Sequence, residues 1–292
     1  MKRKEFLKKG LLGSLVTSLA PSLMASKEEA ESISTYDQLI NQVGFNHLPN
    51  KEEKNMNTVI HKANTRGHAN HGWLDTHHTF SFANYHNPER MHFGVLRVLN
   101  DDRVAAGRGF GTHPHDNMEI ISIPLSGDLE HQDSMGNKAV IKEGDVQVMS
   151  AGTGIQHSEY NRNPDQEVKF LQIWLFPKQK NVEPRYDQIS LSEIKQANEF
   201  YQILSPHADD QGVWINQNAW FHLGEFNEPK ELNYELKSKD NGLYVFVLEG
   251  DVIVEDHSLE LRDGIGLWDT DHVNFKTTSG SRLLLMEVPM NI

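Results

Sequence analysis

The alternation of hydrophobic and polar positions predicts short β-strands over most of the chain. From residue 58 onward, runs rich in valine, isoleucine and leucine are separated by turns that contain glycine, asparagine or aspartate. Many short strands at this spacing are typical of a sandwich or barrel. The predicted strands span residues 93–99, 119–124, 127–133, 139–142, 146–149, 156–160 and 168–176, with a hairpin turn around residues 134–137.

The second half of the chain looks like a copy of the first half. Residues 120–129 resemble residues 244–252, and residues 141–145 resemble residues 261–265. A helix is predicted between the copies, over residues 191–201, because Ser190 and Glu193 form a capping-box pattern at its start. We therefore predict an N-terminal β domain over residues 58–185, a linker with a short helix over 186–214 and a C-terminal β domain over 215–292.

The first 25 residues have the layout of an export signal. A positively charged beginning is followed by a short apolar stretch over residues 10–20 and by small residues around Ala25. Residues 3–8 resemble the twin-arginine consensus, with Lys4 in place of the second arginine; an ordinary secretory signal or an uncleaved anchor is the alternative. We expect an exported, periplasmic protein without a stable membrane span after cleavage, and a flexible tether over residues 26–57.

Composition narrows the classes of function. The net charge is −13, and an acidic chain is repelled by phosphate backbones, so nucleic acid is not expected as a partner. The absence of cysteine excludes disulfides, thiolate metal sites and cysteine nucleophiles. Histidine is abundant, with 16 residues, and ten of these lie between His68 and His157. The two β domains can satisfy each other within one chain, so we expect a monomer.

Two pairs of residues predict a metal site. His113 and His115 are two residues apart, as are His157 and Glu159, and side chains at this spacing point to the same face of a strand. Two such strands can close a site of three nitrogens and one oxygen inside a barrel. Imidazole and carboxylate ligands suit Fe, Mn, Ni, Cu or Zn. The second half of the chain has no corresponding His-x-His sequence, so two barrels with one site are expected.

The glycines around these ligands carry a family resemblance. Gly107-x5-His113-x-His115-x3-Glu119, followed by Gly144-x5-Ser150-x-Gly152-x4-His157-x3-Asn161, resembles the two cupin motifs. Ser150 stands in place of a proline, His157 comes two residues late and Gly127 comes one residue late, and these departures are those of the pirin family. Further pirin-like segments lie at residues 78–82, 92–94, 96–98, 102–104, 107–115, 150–154, 157–159, 172–174 and 184–186.

The resemblance to pirins implies a fold, a metal and an activity. It implies an all-β bicupin of two tandem barrel or jelly-roll domains, the second degenerate, with one divalent metal in the first. Its ligands would be His113, His115, His157 and Glu159, and Fe(II) is the expected metal. Ordinary cupins use the glutamate at the position of Glu119 instead, but Glu159 shares a strand face with His157.

The implied activity is that of the bacterial pirin-like quercetin 2,3-dioxygenases. Such an enzyme cleaves a flavonol with O2, and Glu159 would act as both ligand and catalytic base. Two alternatives stay open: a non-catalytic or redox-sensing regulatory pirin, and another cupin metalloenzyme with a different small-molecule substrate.

Other polar and aromatic residues have a functional and a structural interpretation. Six histidines can form a polar rim around a substrate pocket or make structural hydrogen bonds: His68, His71, His77, His78, His86 and His92. Trp73, Phe80 and Phe110 can line an aromatic pocket or belong to the core. We expect His131 and Asp133 to lie on a solvent-facing strand.

Overall fold

The computed structural model describes residues 56–292, which form two β-barrels with a common interface. The predicted export signal and nearly all of the predicted tether lie outside the described residues. Within residues 56–292, no helix has the length and apolar character needed to cross a bilayer.

The first barrel pairs a seven-stranded sheet, in the order β12-β9-β6-β11-β4-β3-β2, with a four-stranded sheet, β5-β10-β7-β8. Its strands are β2 Gly67–Asn70, β3 Leu74–His78, β4 Leu96–Val104, β5 Gly109–His115, β6 Glu119–Ser126, β7 Leu129–Asp133, β8 Lys138–Ile141, β9 Asp145–Ser150, β10 Ile155–Asn161, β11 Val168–Leu175 and β12 Arg185–Ser190. The predicted hairpin is present, because β7 pairs with β8 in antiparallel register.

The second barrel repeats this plan with the orders β1-β20-β17-β22-β15-β13-β14 and β16-β21-β18-β19. Its strands are β1 Asn57–His61, β13 Phe200–Ser205, β14 Val213–Trp214, β15 Trp220–Glu225, β16 Lys230–Glu235, β17 Asn241–Glu249, β18 Val252–Val254, β19 His257–Leu259, β20 Gly264–Trp268, β21 His272–Thr277 and β22 Arg282–Pro289. The central order β20-β17-β22-β15 matches β9-β6-β11-β4, so the two barrels are copies, as the internal repeat predicted. The all-β bicupin fold is confirmed.

Strand pairing differs from the predicted boundaries at both edges. Strand β1, near the start of the described chain, pairs with β20 and therefore belongs to the second barrel. Strand β12, placed in the predicted linker, pairs with β9 of the first barrel. Each large sheet is thus completed by a strand from outside its predicted domain, and a local pattern of hydrophobic residues contains no information on such pairing.

The predicted helix over residues 191–201 is wrong. Only one turn forms there, closed by hydrogen bonds from the amides of Ile194 and Lys195 to the carbonyl of Leu191. Asn198 then takes a left-handed conformation with φ 63°, and residue 200 already begins β13. Pairing of Phe200 with Gly224 of β15 outweighs the local preference for helix.

The largest hydrophobic cluster lies between the two seven-stranded sheets. Ile121, Ile173 and Leu171 of the first barrel belong to the same buried cluster as Phe221 and Tyr244 of the second. Because side chains alternate along a strand, the intervening positions of β6 and β11 face the interior of the first barrel. Two of those positions hold polar residues, Ser122 and Gln172.

Candidate metal centre

Strands β5 and β10 bring three of the four predicted ligands, His113, His115 and His157, together inside the first barrel, whereas Glu159 is grouped with His157 and His131. His157 pairs directly with His113, and Ile155 pairs with His115. Along β10 the side chains at positions 155, 157, 159 and 161 are buried, and those between them are more exposed. The predicted common face of His157 and Glu159 is therefore present and points inward.

A bulge separates the two ligands of β10 in the pairing with β5. Beyond the His157–His113 pair, Glu159 pairs with Phe110, so β5 has one more residue than β10 in this interval. The extra residue changes which positions of β5 face inward. Phe110 consequently lies on the same side of the strand as His113 and lines a cavity beside the site.

Three imidazoles converge at this position. The ring centroids are 4.8 Å apart for His113 and His115, 4.4 Å for His113 and His157, and 4.9 Å for His115 and His157. One nitrogen from each ring lies within 4.8 Å of the other two. The three histidines could therefore hold a metal ion.

The ring nitrogens fit the requirements of a metal site. Nδ1 of His113 donates to the carbonyl of Gly111 at 2.8 Å, which leaves its Nε2 with a free lone pair. Nε2 of His115 and both nitrogens of His157 are buried and have no hydrogen-bond partner in the protein. A buried polar atom without a partner is costly, and a metal ion would satisfy these atoms.

Burial keeps two of these histidines in the neutral form that binds metals. Burial, assisted by the neighbouring His157 and His113, lowers the pKa of His115 to about 4. Burial likewise lowers the pKa of His157 to about 3, assisted by His113 and His131. Neutral imidazole is the ligand form, so protons compete weakly with a metal at this site.

Glu159 is held by two donors from the opposite sheet. The hydroxyl of Ser122 donates to Oε1 at 3.1 Å, and the amide of Gln172 donates to Oε2 at 2.7 Å. Its carboxylate, a nitrogen of His157 and a nitrogen of His131 lie within 4.8 Å of one another. Glu159 is thus adjacent to the three-histidine group through His157.

His131 is a site residue that sequence reasoning missed. It is completely buried, its ring centroid lies 5.3 Å from that of His157, and its Nδ1 has no partner. The expectation that His131 and Asp133 face solvent is therefore wrong: the two side chains are 3.3 Å apart and both are buried. The sequence could have predicted this burial. His131 and Asp133 follow the apolar Leu129 at intervals of two residues, and side chains at that spacing share one face of a strand.

Glu119, the alternative ligand, lies away from this site. Its Oε2 accepts hydrogen bonds from the hydroxyl of Ser150 at 2.7 Å and from the amide of Asn216 at 3.1 Å. Asn216 follows β14 of the second barrel, so Glu119 connects the two barrels. Burial raises the pKa of this carboxyl to about 7.

His115 lines one cavity, of about 570 Å³. A second cavity, of about 450 Å³, is lined by Phe110, which pairs with Glu159, and by none of the four predicted ligands. Its aromatic and polar walls include Phe82, Tyr85, Phe110, His78 and Asp102. Burial, assisted by the charges of Asp101 and Glu159, raises the pKa of Asp102 to about 7, against the opposing effect of the Thr76 hydroxyl, which donates to this carboxyl. The cavity combines flat apolar surfaces with a few polar groups, which is the usual character of a small-molecule site.

The upstream histidines divide into two groups. His68, His71 and His78 line this cavity, in agreement with the polar-rim interpretation. His78 is buried, and its Nδ1 bonds Oδ1 of Asn100 at 2.8 Å. His92 instead donates to the carbonyl of Gly94, a structural contact.

The aromatic residues divide in the same way. Phe110 lines the cavity. Trp73 contacts Phe110 with ring centroids 5.3 Å apart, but it packs against a buried hydrophobic cluster and does not line the cavity. Phe80 belongs to the core between the barrels.

Comparison with known proteins assigns both barrels. Residues 59–175 match the family model described as Pirin, and residues 202–288 match the model described as the quercetinase C-terminal cupin domain. The chain is 41% identical over 230 residues to quercetin 2,3-dioxygenase of Escherichia coli K12, which covers 79% of this chain and 98% of that protein. It is 37% identical to a pirin-like protein of Caulobacter vibrioides, covering 76% of this chain and 95% of that protein.

Solved structures agree with this assignment. The bacterial pirin YhhW of Escherichia coli in complex with nickel(II) has a TM-score of 0.76 and 39% identity, covering 81% of this chain and 100% of that chain. Quercetin 2,3-dioxygenase of Acinetobacter baumannii has a TM-score of 0.65 at 19% identity, covering 80% of this chain and 79% of that chain, a likeness of fold alone.

Proposed function

This chain belongs to the pirin family, and from that premise we propose that it is a metal-dependent dioxygenase that cleaves flavonols such as quercetin with O2. The observation that carries the proposal is the convergence of three histidines inside the first barrel, two of them with buried ring nitrogens that lack partners. Relatives named quercetin 2,3-dioxygenase support the choice of reaction.

The proposed ligands of a single divalent metal are His113, His115, His157 and Glu159. Fe(II) is the proposed ion, because three imidazoles and one carboxylate suit a redox-active divalent metal; Mn, Ni, Cu and Zn are compatible with the same donors. When bound, such a metal supplies Lewis acidity that lowers the pKa of a coordinated hydroxyl, and a route for electrons to dioxygen.

The proposed role of Glu159 is to accept the proton of the substrate hydroxyl at one of its carboxylate oxygens. Ser122 and Gln172 fix the orientation of that carboxylate through their hydrogen bonds. A base that is positioned in this way needs little rearrangement when the substrate arrives.

The proposed substrate site is the cavity between β3, β4 and Phe110. Aromatic rings favour flat contacts with a planar substrate, and Phe82, Tyr85 and Phe110 offer such contacts. Trp174 stands between this cavity and the histidines, with its ring 5.3 Å from Phe82 and 4.9 Å from His115.

The test is oxygen uptake with quercetin by protein purified anaerobically and analysed for metal. Wild type should contain about one metal ion and consume oxygen, and Glu159→Gln should retain the fold but lose turnover. Glu119→Gln is the matched control, because it alters a buried glutamate that contacts the second barrel rather than the site. A bound metal without oxygen uptake in wild type would indicate another substrate or a binding role, and Glu159→Gln with full activity would remove the proposed base.

A further inference from the structure

We propose that His68, Asp75 and His77 form a second divalent transition-metal site on the outer face of the first barrel. The three residues lie on β2 and β3, at the edge of the seven-stranded sheet. One potential ligand atom from each lies within 4.8 Å of the other two. The triad shares no residue with the four proposed dioxygenase ligands, and the proposal does not depend on that function.

Strand register places these side chains on one face. His68 pairs directly with His77, and Asn70 pairs with Asp75. Along β3 the buried positions 74, 76 and 78 alternate with the half-exposed positions 75 and 77. The imidazoles and the carboxylate therefore point away from the barrel interior and are accessible to ions in solution, with side-chain exposures of 51%, 30% and 35% for His68, Asp75 and His77.

One carboxylate oxygen already faces both imidazoles. Oδ1 of Asp75 lies 3.1 Å from Nε2 of His68 and 3.7 Å from Nδ1 of His77. The two rings are stacked, with centroids 4.4 Å apart and planes inclined by 19°. A metal ion held by these atoms would replace the hydrogen bond between Nε2 of His68 and Oδ1 of Asp75.

A neighbouring amide orients the carboxylate. The side-chain amide of Asn70 donates to Oδ2 of Asp75 at 3.1 Å, which leaves Oδ1 for the ligand position. Outer hydrogen bonds of this kind are common around metal-binding carboxylates. The arrangement thus has two imidazoles, one carboxylate and a supporting donor.

The donor set selects the class of ion. Imidazole nitrogens favour zinc, nickel and copper, whereas calcium and magnesium require oxygen ligands. Three protein ligands leave at least one position for water, so the site is expected to bind these ions more weakly than the buried histidines do. His68 also lines the neighbouring cavity, so an ion bound here would stand at the cavity mouth.

Zinc binding to the full chain tests the proposal. Equilibrium dialysis with Zn²⁺, followed by metal analysis, should give two ions per chain for wild type and one for His77→Gln and for Asp75→Asn. The matched control is His71→Gln, an exposed histidine of the same region that lies outside the triad, and it should keep two. Asn70→Ala should weaken the second site by roughly tenfold, the usual effect of losing an outer hydrogen bond.

A variant of the buried site separates this proposal from the proposed function. His157→Gln should lose the inner ion and keep the outer one, with an anomalous diffraction peak for zinc between residues 68, 75 and 77. Two ions retained by both His77→Gln and Asp75→Asn, or a wild type whose only zinc is removed by His157→Gln, would overturn the outer site. A wild type that binds zinc at the outer site but none at the buried histidines would instead count against the proposed dioxygenase.

Discussion

At the scale of single residues, the reactivity of the site depends on the groups that surround Glu159. Its carboxylate lies in the interior of a barrel, yet both oxygens receive hydrogen bonds from Ser122 and Gln172. The two donors therefore fix the orientation of the carboxylate that we propose as ligand and base.

Removing the stronger donor should weaken the site. We expect Gln172→Leu to lower the affinity for divalent metal by about ten- to hundredfold, since the carboxylate loses its orienting partner. Metal titration monitored by calorimetry measures this change. Gln147→Leu is the control, because Gln147 is also buried but its amide nitrogen has no partner; equal losses in both variants would contradict the role of Gln172.

The convergence of His113, His115 and His157 could be predicted from the sequence because the spacing of these residues carries the information. His113 with His115, and His157 with Glu159, are each two residues apart, and period two defines a strand face. The donors Ser122 and Gln172 could not be predicted in this way. Each lies in an apolar run, and only the packing of the two sheets brings them to Glu159.

At the scale of elements, the close approach of β5 and β10 forms the centre. A Cβ atom at Gly109 would stand 2.2 Å from the carbonyl oxygen of Glu159 and 2.5 Å from Cα of Tyr160. These are backbone atoms that cannot move without separating the strands. Glycine is therefore required at this position because any side chain would collide with the backbone of β10, and not because the backbone has an unusual φ angle.

Substitutions at two nearby glycines should behave differently. We expect Gly109→Ala to destabilise the protein by about 1–3 kcal/mol, the usual cost of overpacking, and to weaken metal binding. Gly111→Ala should have little effect, because the nearest atom to its added Cβ is the hydroxyl of Tyr160 at 3.9 Å. Thermal unfolding with and without metal measures the stability of both variants. Equal melting temperatures for the two would show that the close contact at Gly109 does not determine stability.

The elements differ in how far the sequence determines them. Strands β6, β7, β9, β10 and β11 follow the hydrophobic pattern within a few residues. The region of residues 191–201 does not follow its sequence pattern. The capping residues produce one helical turn, and the chain then pairs with β15 as a strand. The local sequence preference determines the secondary structure of a segment only where that segment does not pair with a neighbouring sheet.

At the scale of the whole molecule, the edge strands join the two barrels. The first described strand, β1, completes the sheet of the second barrel, and β12 completes the sheet of the first. Sequence similarity between the halves predicted two copies. It could not predict this arrangement, because pairing between distant segments leaves no periodic signal.

Truncation should reveal the contribution of β1. A chain that begins at residue 56 is the reference, because it retains β1. A chain that begins at residue 63 should be less stable and should expose the edge of β20. Calorimetry measures both, and equal melting temperatures would contradict a structural role for residues 57–61.

Acid should destabilise the metal-free protein. Burial is the principal reason that four histidines have pKa values of about 3 to 4: His61, His115, His157 and His222. The unfolded chain binds protons at these residues near pH 6.5, so between about pH 4 and 6.5 it holds more protons than the folded chain does. Their contribution to stability is therefore present above pH 6.5 and is lost as the pH falls.

Two buried carboxyls act in the opposite direction. The pKa values of Asp102 and Glu119 are raised to about 7, so the folded chain holds these protons where the unfolded chain does not. Four histidines outweigh two carboxyls, and we expect the free energy of unfolding to fall between pH 6.5 and pH 5 by at most about 2.7 kcal/mol per pH unit. Urea titrations at both pH values measure the change, with His222→Phe reducing the slope; greater stability at pH 5 would contradict the assignment.

The location of the protein is a proposal that rests on residues 1–25 alone. We propose export to the periplasm and a monomeric mature chain, and expect fractionation to find a form that begins near residue 26. Recovery of the unprocessed chain in the cytoplasm would contradict this proposal.

The placement of β1 has a consequence for biosynthesis. The ribosome makes this strand early, but its partner β20 is made near the end, so the strand must wait unpaired while nearly the whole chain emerges. Contacts between such distant segments are slow to form. The first barrel contains all of its own strands and can assemble earlier, so closure of the second barrel by β1 is expected to be the last step of folding and the point at which the nascent chain is most exposed to proteases and chaperones.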